Sequence, residues 1–228
     1  FEQKEFKYFA GHSLGEYSAL VCAKSLNFKD GLFLLNERGK AMQEAVPVGE
    51  GLMVAVLGSD IDTMEDLLKN NITSGICEIA NDNSDAQIII SGDAKTVTIF
   101  QEILKTKKIK SILLPVSAPF HCSLMKPAAD NFKKKIEKIK FDIPKIDVLS
   151  NVTGKPENDP ISIKNLLIKQ IYSKVRWRES ILHMKQNNIN KFIEIGPGKI
   201  LSGLLKRMLK LDSFTNVNTT EDIKNINK

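Results

Sequence analysis

Gly11-x-Ser13-x-Gly15 follows a strand-like run, Lys7-Tyr8-Phe9-Ala10, and opens a helix-like run from Glu16 to Ala23. Small residues on both flanks let a strand turn sharply into a helix. The serine hydroxyl is then presented at the helix N-terminus, beside backbone N–H groups that lack helical partners. The chemistry this suits is nucleophilic attack on a carbonyl, with Leu14 N–H as a donor to the oxyanion. Taken alone, the same three positions also fit a plain structural turn.

A serine nucleophile needs a base, and the chain has 3 histidines. His12 adjoins the serine, but neighbours around such an elbow point in different directions. His183 lies in the helical pattern Trp177 to Gln186 and reads as a surface or half-buried helix residue. His121 lies in Pro115-Val-Ser-Ala-Pro-Phe-His-Cys122, a proline-punctuated loop between a strand and a helix. Loops held by rigid elements often carry catalytic groups. A neutral imidazole there can take the serine proton during attack and return it to a leaving thiolate. A purely structural role for His121 fits the same pattern.

Arg38 lies three and four residues from Leu35 and Met42, so it borders the apolar side of its helix. Arginine in such a place is normally paired. Its planar fork matches a carboxylate at both oxygens. The alternative is an arginine that snorkels or pairs with Glu16 or Glu44.

These residues need a scaffold. The chain has 228 residues, 42% of them hydrophobic, which is enough for a sizeable core and a second small domain. A membrane-spanning helix needs about 20 apolar residues in a row, and no such run exists. No signal or transit segment is visible, although the chain starts at Phe1 rather than methionine and so reads as incomplete or processed. The formal net charge is +6, carried mostly by lysine, with neither zinc-finger spacing nor a basic stripe interleaved with aromatics to suggest nucleic acid. The 3 cysteines, Cys22, Cys77 and Cys122, are widely spaced and suggest neither a disulfide framework nor a metal site. A reducing compartment is the default expectation.

Periodicity predicts a helix from Lys29 to about Ala45, ended by Pro47 and Gly49-Glu50-Gly51. A different rhythm follows. Strand 52–57, helix 60–70, strand 76–80, turn 81–85, strand 87–91, helix 95–105 and strand 111–115 make the split βαβ order. Beyond it come a basic helix (125–138), a strand (147–151), helices at 161–170 and 177–186, a strand (191–195), the loop Gly196-Pro197-Gly198 and a helix (200–210). From Asp212 the chain reads as a polar, poorly packed tail. The expectation is an α/β protein with a parallel sheet in a core made of residues 1–51 and 116–211, a compact insertion at 52–115, and a tail at 212–228.

Several segments together resemble the acyltransferase family of malonyl-CoA:acyl carrier protein transacylases and of fatty acid and polyketide synthases. Gly11-His-Ser-Leu-Gly-Glu-Tyr-Ser-Ala-Leu20 resembles its nucleophile motif, and Arg38-Gly-Lys-Ala-Met-Gln43 its arginine segment. Pro119-Phe-His-Cys122 with Met125 resembles its histidine segment. Gln170-Ile-Tyr-Ser-Lys-Val-Arg-Trp177 resembles a later glutamine segment, and Glu194-Ile-Gly-Pro-Gly-Lys199 with Leu201 its C-terminal signature. The order is the family's, and the segments span nearly the whole chain.

The resemblance implies an α/β-hydrolase-like core with an inserted ferredoxin-like subdomain. It implies Ser13 as nucleophile, His121 as its partner, Arg38 on the malonyl carboxylate and Leu14 N–H at the oxyanion. It also implies that Gln170 orients His121 through its carbonyl and that Phe120 favours malonyl over methylmalonyl. The implied reaction moves a malonyl group from malonyl-CoA to the thiol of holo-acyl carrier protein, in fatty acid biosynthesis, with no cofactor or metal. Malonyl-CoA and acyl carrier protein are the implied partners, with neither nucleic acid nor membrane involved, and a monomer is expected. An acidic carrier could be steered by Lys126, Lys133, Lys134, Lys135, Lys206 and Arg207. The setting would be cytoplasmic, or plastid or mitochondrial if a transit segment lies upstream. The family also takes a second oxyanion donor, a glutamine, from a Gly-Gln-Gly-rich loop before the elbow, and these 228 residues do not contain it. Loss of such a donor costs about 2.7–4 kcal/mol in related chemistry. Two other readings stay open here: an ordinary serine hydrolase, whose histidine would lie near the C-terminus as only His183 does, and a scaffold that binds carrier protein without turnover.

Overall fold

The computed structural model describes residues 6–209 and 214–226. Strand β1 (Tyr8–Phe9) runs through Gly11 into helix α1 (Leu14–Cys22), and α2 (Phe28–Glu44) follows. Asn27 starts α2 by accepting the Asp30 N–H at 2.9 Å, so a helix donor that lacks an internal partner is satisfied. Leu34, Arg38, Ala41 and Met42 form the buried side of α2, at the spacing of one helical face.

The insertion consists of β2 (Gly51–Leu57), α3 (Ile61–Asn71), β3 (Cys77–Ser84), β4 (Gln87–Asp93), α4 (Ala94–Thr106) and β5 (Lys110–Leu113). Its strands form one sheet in the order β3-β4-β2-β5, and each neighbouring pair is antiparallel. Asp60 and Asp93 cap α3 and α4 by accepting the N–H groups of Thr63 and Thr96. Alternation along β2 sends Val54 and Val56 to one face, where they pack with Ile88, Ile90, Met64, Phe100 and Leu104. Met53 and Ala55 go to the other face, with Ala80, Ile89 and Phe120. Both faces are therefore covered, and the second joins the insertion to the His121 loop.

Asn81-Asp-Asn-Ser84 departs from the expected turn. These residues extend β3, with register shifts between Ile79 and Asn81 and between Asp82 and Ser84. Turn-forming residue types set the expectation. Tertiary partners override it: Arg178 Nε donates to both Asp82 oxygens at 2.9 and 3.1 Å, and Asn83 meets His12.

After a short 3-10 turn at Ser123–Met125 come α5 (Lys126–Ile136), β6 (Asp147–Leu149), β7 (Pro156–Glu157), α6 (Pro160–Gln170), α7 (Trp177–Gln186), β8 (Phe192–Ile195), α8 (Ile200–Met208), β9 (Phe214–Val217) and α9 (Thr220–Ile226). β6 pairs parallel with β1, as expected for a parallel core, and antiparallel with the unforeseen β7. β8 pairs parallel with β9. The expected tail thus holds a strand and a helix; Phe214 lies beside Phe192, and Asn216 donates to Glu194 Oε2 at 2.9 Å. The parts of that tail at 212–213 and 227–228 lie outside the described residues.

Tyr17, Leu20, Leu34, Phe132, Ile136 and Leu167 form the main core between α1, α2, α5 and α6. Leu149, Val175, Trp177, Ile181, Leu204 and Leu205 form another beside β6, α7 and α8. The fold is mixed α/β. Among the described residues, no helix is long and apolar enough to cross a membrane.

Candidate active site

The turn at Ser13 begins with Gly11. A Cβ there would lie 2.0 Å from the backbone C and O of Gly15, so only glycine lets β1 and α1 approach this closely. Ser13 then takes φ 51° and ψ −101°, in a region that side chains rarely occupy. Its N–H donates to Asn151 Oδ1 at 2.7 Å, and Asn151 Nδ2 donates to the Gly11 carbonyl at 2.8 Å. Asn151, just after β6, thereby holds both sides of the elbow. Leu14 N–H, the first of α1, takes no partner among the described residues and stands free for an acceptor.

His121 reaches the elbow from the loop before α5. It is buried, with φ 61°. Its Nε2 lies 2.8 Å from Ser13 Oγ and its Nδ1 lies 2.8 Å from the Gln170 carbonyl oxygen. A carbonyl only accepts, which assigns the proton to Nδ1 and leaves the Nε2 lone pair facing the serine hydroxyl. Burial, reinforced by the Arg38 charge, pushes the imidazole pKa down to about 3, so the ring is neutral near pH 7. From β3, Glu78 secures the loop two residues after His121: its carboxylate accepts the Ser123 N–H at 2.9 Å and the Ser123 hydroxyl at 2.5 Å.

Arg38 projects from α2 to the same serine. Its Nη2 donates to Ser13 Oγ at 2.8 Å and to Gln170 Oε1 at 2.9 Å, and its guanidinium lies 5.8 Å from the Tyr17 ring centre. Arg38 is buried, and its Nε has no hydrogen-bond partner among the described residues. No carboxylate of the described residues forms an ion pair with it, so the expected alternative of direct pairing with Glu16 or Glu44 is not what the geometry shows. An unpaired, buried donor on a cation is costly to leave unmet.

Gln170, at the end of α6, is fully buried and ties the other groups together. Its carbonyl meets His121 and its Oε1 meets Arg38. Its Nε2 donates to the Ser13 carbonyl at 3.0 Å and to Glu16 Oε2 at 2.7 Å. Phe120 is half-buried and packs against both the main core and the second face of the insertion sheet.

Ser13, His121, Arg38 and Gln170 therefore meet at one point, with Leu14 N–H beside it. His12 and His183 do not join them. His12 turns the other way, its Nε2 2.8 Å from Asn83 Oδ1 and its ring against Trp177. His183 faces Tyr8 and Asn187, away from the serine. That removes the base an ordinary hydrolase order would require. The suggested basic residues are exposed on α5 and α8; Lys135 pairs with Glu37 at 2.8 Å.

Sequence reasoning missed Asn151 and treated Glu16 only as a possible arginine partner. A signal for Glu16 was present. Ser13-x-x-Glu16 has the spacing of a helix capping box, in which each side chain bonds the other's backbone. Here the serine forms no cap bond and faces His121, while Glu16 turns inward to Gln170 and to the Asn151 N–H at 3.1 Å. Burial raises the Glu16 pKa to about 7, against the opposing pull of Gln170, Asn151 and Arg38.

The family model described as "Acyl transferase domain" matches residues 5–225. The chain is 45% identical over 201 residues to a malonyl CoA-acyl carrier protein transacylase of Bacillus subtilis, covering 87% of this chain and 63% of that protein. It is 42% identical over 210 residues to the Haemophilus influenzae protein of the same name, covering 92% of this chain and 67% of the other. Among solved structures, an acyl-carrier-protein-S-malonyltransferase from Bartonella henselae superposes with TM-score 0.94 at 44% identity, over 98% of this chain and 71% of that one. A malonyl-transacylase in complex with its type II PKS acyl-carrier protein superposes with TM-score 0.91 at 39% identity, over 96% and 71%. The chain thus spans about two thirds of the length of the relatives it matches, and 63% of the Bacillus subtilis one.

Proposed function

Since the chain belongs to the acyl transferase domain family, matched over residues 5–225, we propose that it transfers a malonyl group from malonyl-CoA to the pantetheine thiol of holo-acyl carrier protein, in fatty acid biosynthesis. The observation that carries this reading is that Ser13 Oγ lies 2.8 Å from both a neutral imidazole and a guanidinium. A nucleophile and its base serve any acyl transfer. A buried arginine at the same oxygen selects an acyl group that bears its own carboxylate.

In the first half, the malonyl carboxylate binds Arg38, whose unpartnered Nε is an available donor. Ser13 Oγ attacks the thioester carbonyl and its proton passes to His121 Nε2. The carbonyl π electrons move to oxygen, and Leu14 N–H donates to that oxyanion. The tetrahedral adduct collapses, the C–S bond breaks, and coenzyme A leaves with the proton from His121. In the second half, the carrier thiol gives its proton to His121 and attacks the malonyl-serine ester, and Ser13 departs with that proton. The Gln170 carbonyl holds Nδ1–H throughout, so Nε2 is the site that cycles. Phe120, beside His121 at the seam, limits the size of the acyl group.

The architecture fits an α/β-hydrolase-like core (1–51 and 116–211) with a ferredoxin-like insertion (52–115). The β3-β4-β2-β5 order and the two helices covering one face support the insertion. The reading includes action as a monomer in the cytoplasm. The test is mass spectrometry of the Ser13 peptide after exposure to malonyl-CoA. The reading expects a malonyl adduct that holo-acyl carrier protein discharges; absence of an adduct on the folded protein favours a binding scaffold, and discharge by water at the same rate favours a thioesterase.

A further inference from the structure

We propose that Glu16 is a positioning residue of this site: its carboxylate oxygen fixes which way the Gln170 amide faces, and so holds Arg38 against Ser13. This rests on the assignment of Ser13 and Arg38 above and names a residue through which Arg38 discriminates.

A glutamine amide has a donor end and an acceptor end, and only its surroundings decide which points where. The surroundings of Gln170 are specific. Nε2 faces two acceptors, Glu16 Oε2 at 2.7 Å and the Ser13 carbonyl at 3.0 Å. Oε1 faces one donor, Arg38 Nη2, at 2.9 Å. Turning the amide over sets NH2 against the guanidinium and an oxygen against two oxygens. In a fully buried side chain, each such mismatch carries the desolvation cost of an unmet group. Glu16 makes the shorter of the two bonds that forbid this. Without it, Nε2 keeps only the Ser13 carbonyl, and one N–H is orphaned.

The same oxygen governs the elbow from the other side. Oε2 also accepts the Asn151 N–H at 3.1 Å, and Asn151 Oδ1 in turn accepts the Ser13 N–H at 2.7 Å. One atom thus anchors both arms of the site, Gln170 with Arg38 and His121, and Asn151 with Ser13. Both bonds need only an acceptor at that point, and they do not need its charge. The raised pKa, about 7, agrees with a pocket that accommodates the uncharged carboxyl.

Two substitutions separate position from charge. Glu16→Gln keeps a carbonyl oxygen in place and loses the charge. Glu16→Asp keeps the charge and withdraws the oxygen by about one C–C bond, about 1.5 Å, which is too far for either hydrogen bond. The readout is the ratio of malonyl to acetyl transfer, each normalised to the amount of serine that can be acylated. A general loss of structure lowers both rates together, whereas a displaced Arg38 lowers malonyl transfer selectively. The expected result is a ratio in Glu16→Gln within about twofold of wild type and one in Glu16→Asp reduced about tenfold or more. The proposal is overturned if Asp retains the ratio and Gln loses it, if both retain it, or if both acyl groups fall in parallel. Failure of the underlying assignment shows separately, as wild-type protein that forms no malonyl-Ser13.

Discussion

Ser13 and His121 face each other at 2.8 Å, and each holds a positive φ, 51° and 61°, that residues with side chains rarely adopt. Such conformations cost on the order of 1–3 kcal/mol each and persist where the surroundings over-determine them. Here Asn151 holds one and the Glu78–Ser123 bonds hold the loop of the other. Replacing Ser13 by alanine is expected to abolish the malonyl adduct. Replacing His121 by alanine is expected to slow its formation about 10²–10⁴-fold, the range for a lost general base. Quenched-flow measurement of coenzyme A release checks both; an unimpaired His121→Ala variant would exclude it as the base.

Arg38 sets the acyl preference. Arg38→Ala removes a charge-assisted hydrogen bond to the malonyl carboxylate, worth about 1.5–3 kcal/mol, or about 10- to 100-fold in malonyl transfer. Acetyl transfer, which never used that bond, should fall less or rise. Competition between malonyl-CoA and acetyl-CoA reads the ratio directly, and an unchanged malonyl preference would remove Arg38 from its assigned place.

The depressed pKa of His121 makes a statement about pH. A base that is already neutral well below its ordinary 6.5 does not switch on near that value. The dependence of kcat/KM for malonyl-CoA should lack an acid limb near pH 6.5 and decline only toward lower pH. The linkage has the same sign: between 6.5 and about 3 the unfolded chain binds a proton that the native ring refuses, so His121 contributes to loss of stability as pH falls.

Glu16 works in the opposite direction. Its folded pKa is raised from 4.5 to about 7, so the native state holds a proton that the unfolded chain releases. Its contribution is fully present below 4.5 and is lost as pH rises through about 7, a difference of about 3 kcal/mol for a fully buried group. Glu16→Gln removes that titration. Melting temperatures of wild type and variant should therefore diverge between pH 4.5 and 7, with wild type losing stability relative to the variant. Parallel curves would show that Glu16 ionises as an ordinary carboxylate.

The parts of the site that were legible in the sequence are those with local signatures. The elbow announces itself through glycine spacing, and the insertion through alternating strand and helix periods. β2, α3 and α4 fall within a residue or two of their expected ranges. What stayed hidden depends on partners far along the chain. Asn81–Ser84 has turn chemistry and is a strand because Arg178 and His12 meet its polar groups. Asn151 is one more asparagine at a strand end until the fold sets it against Ser13, 138 residues away. β9 escaped because its two apolar residues, Phe214 and Val217, show no alternation strong enough to offset the polar run around them.

The two glycines of the elbow are not equivalent. Their flanking positions suggest that both permit the turn. In the fold, only Gly11 is confined: a Cβ there would meet the Gly15 backbone at 2.0 Å, where no flexible side chain can give way. A Cβ on Gly15 would meet nothing within 4 Å, and Gly15 lies inside α1, where alanine is favoured over glycine by up to about 1 kcal/mol. Gly11→Ala should therefore separate β1 from α1, lower the melting temperature and eliminate acylation of Ser13. Gly15→Ala should keep or slightly raise the melting temperature. Thermal denaturation of the two variants side by side decides the matter, and equal destabilisation would mean that the close approach at Gly11 is not what shapes the elbow.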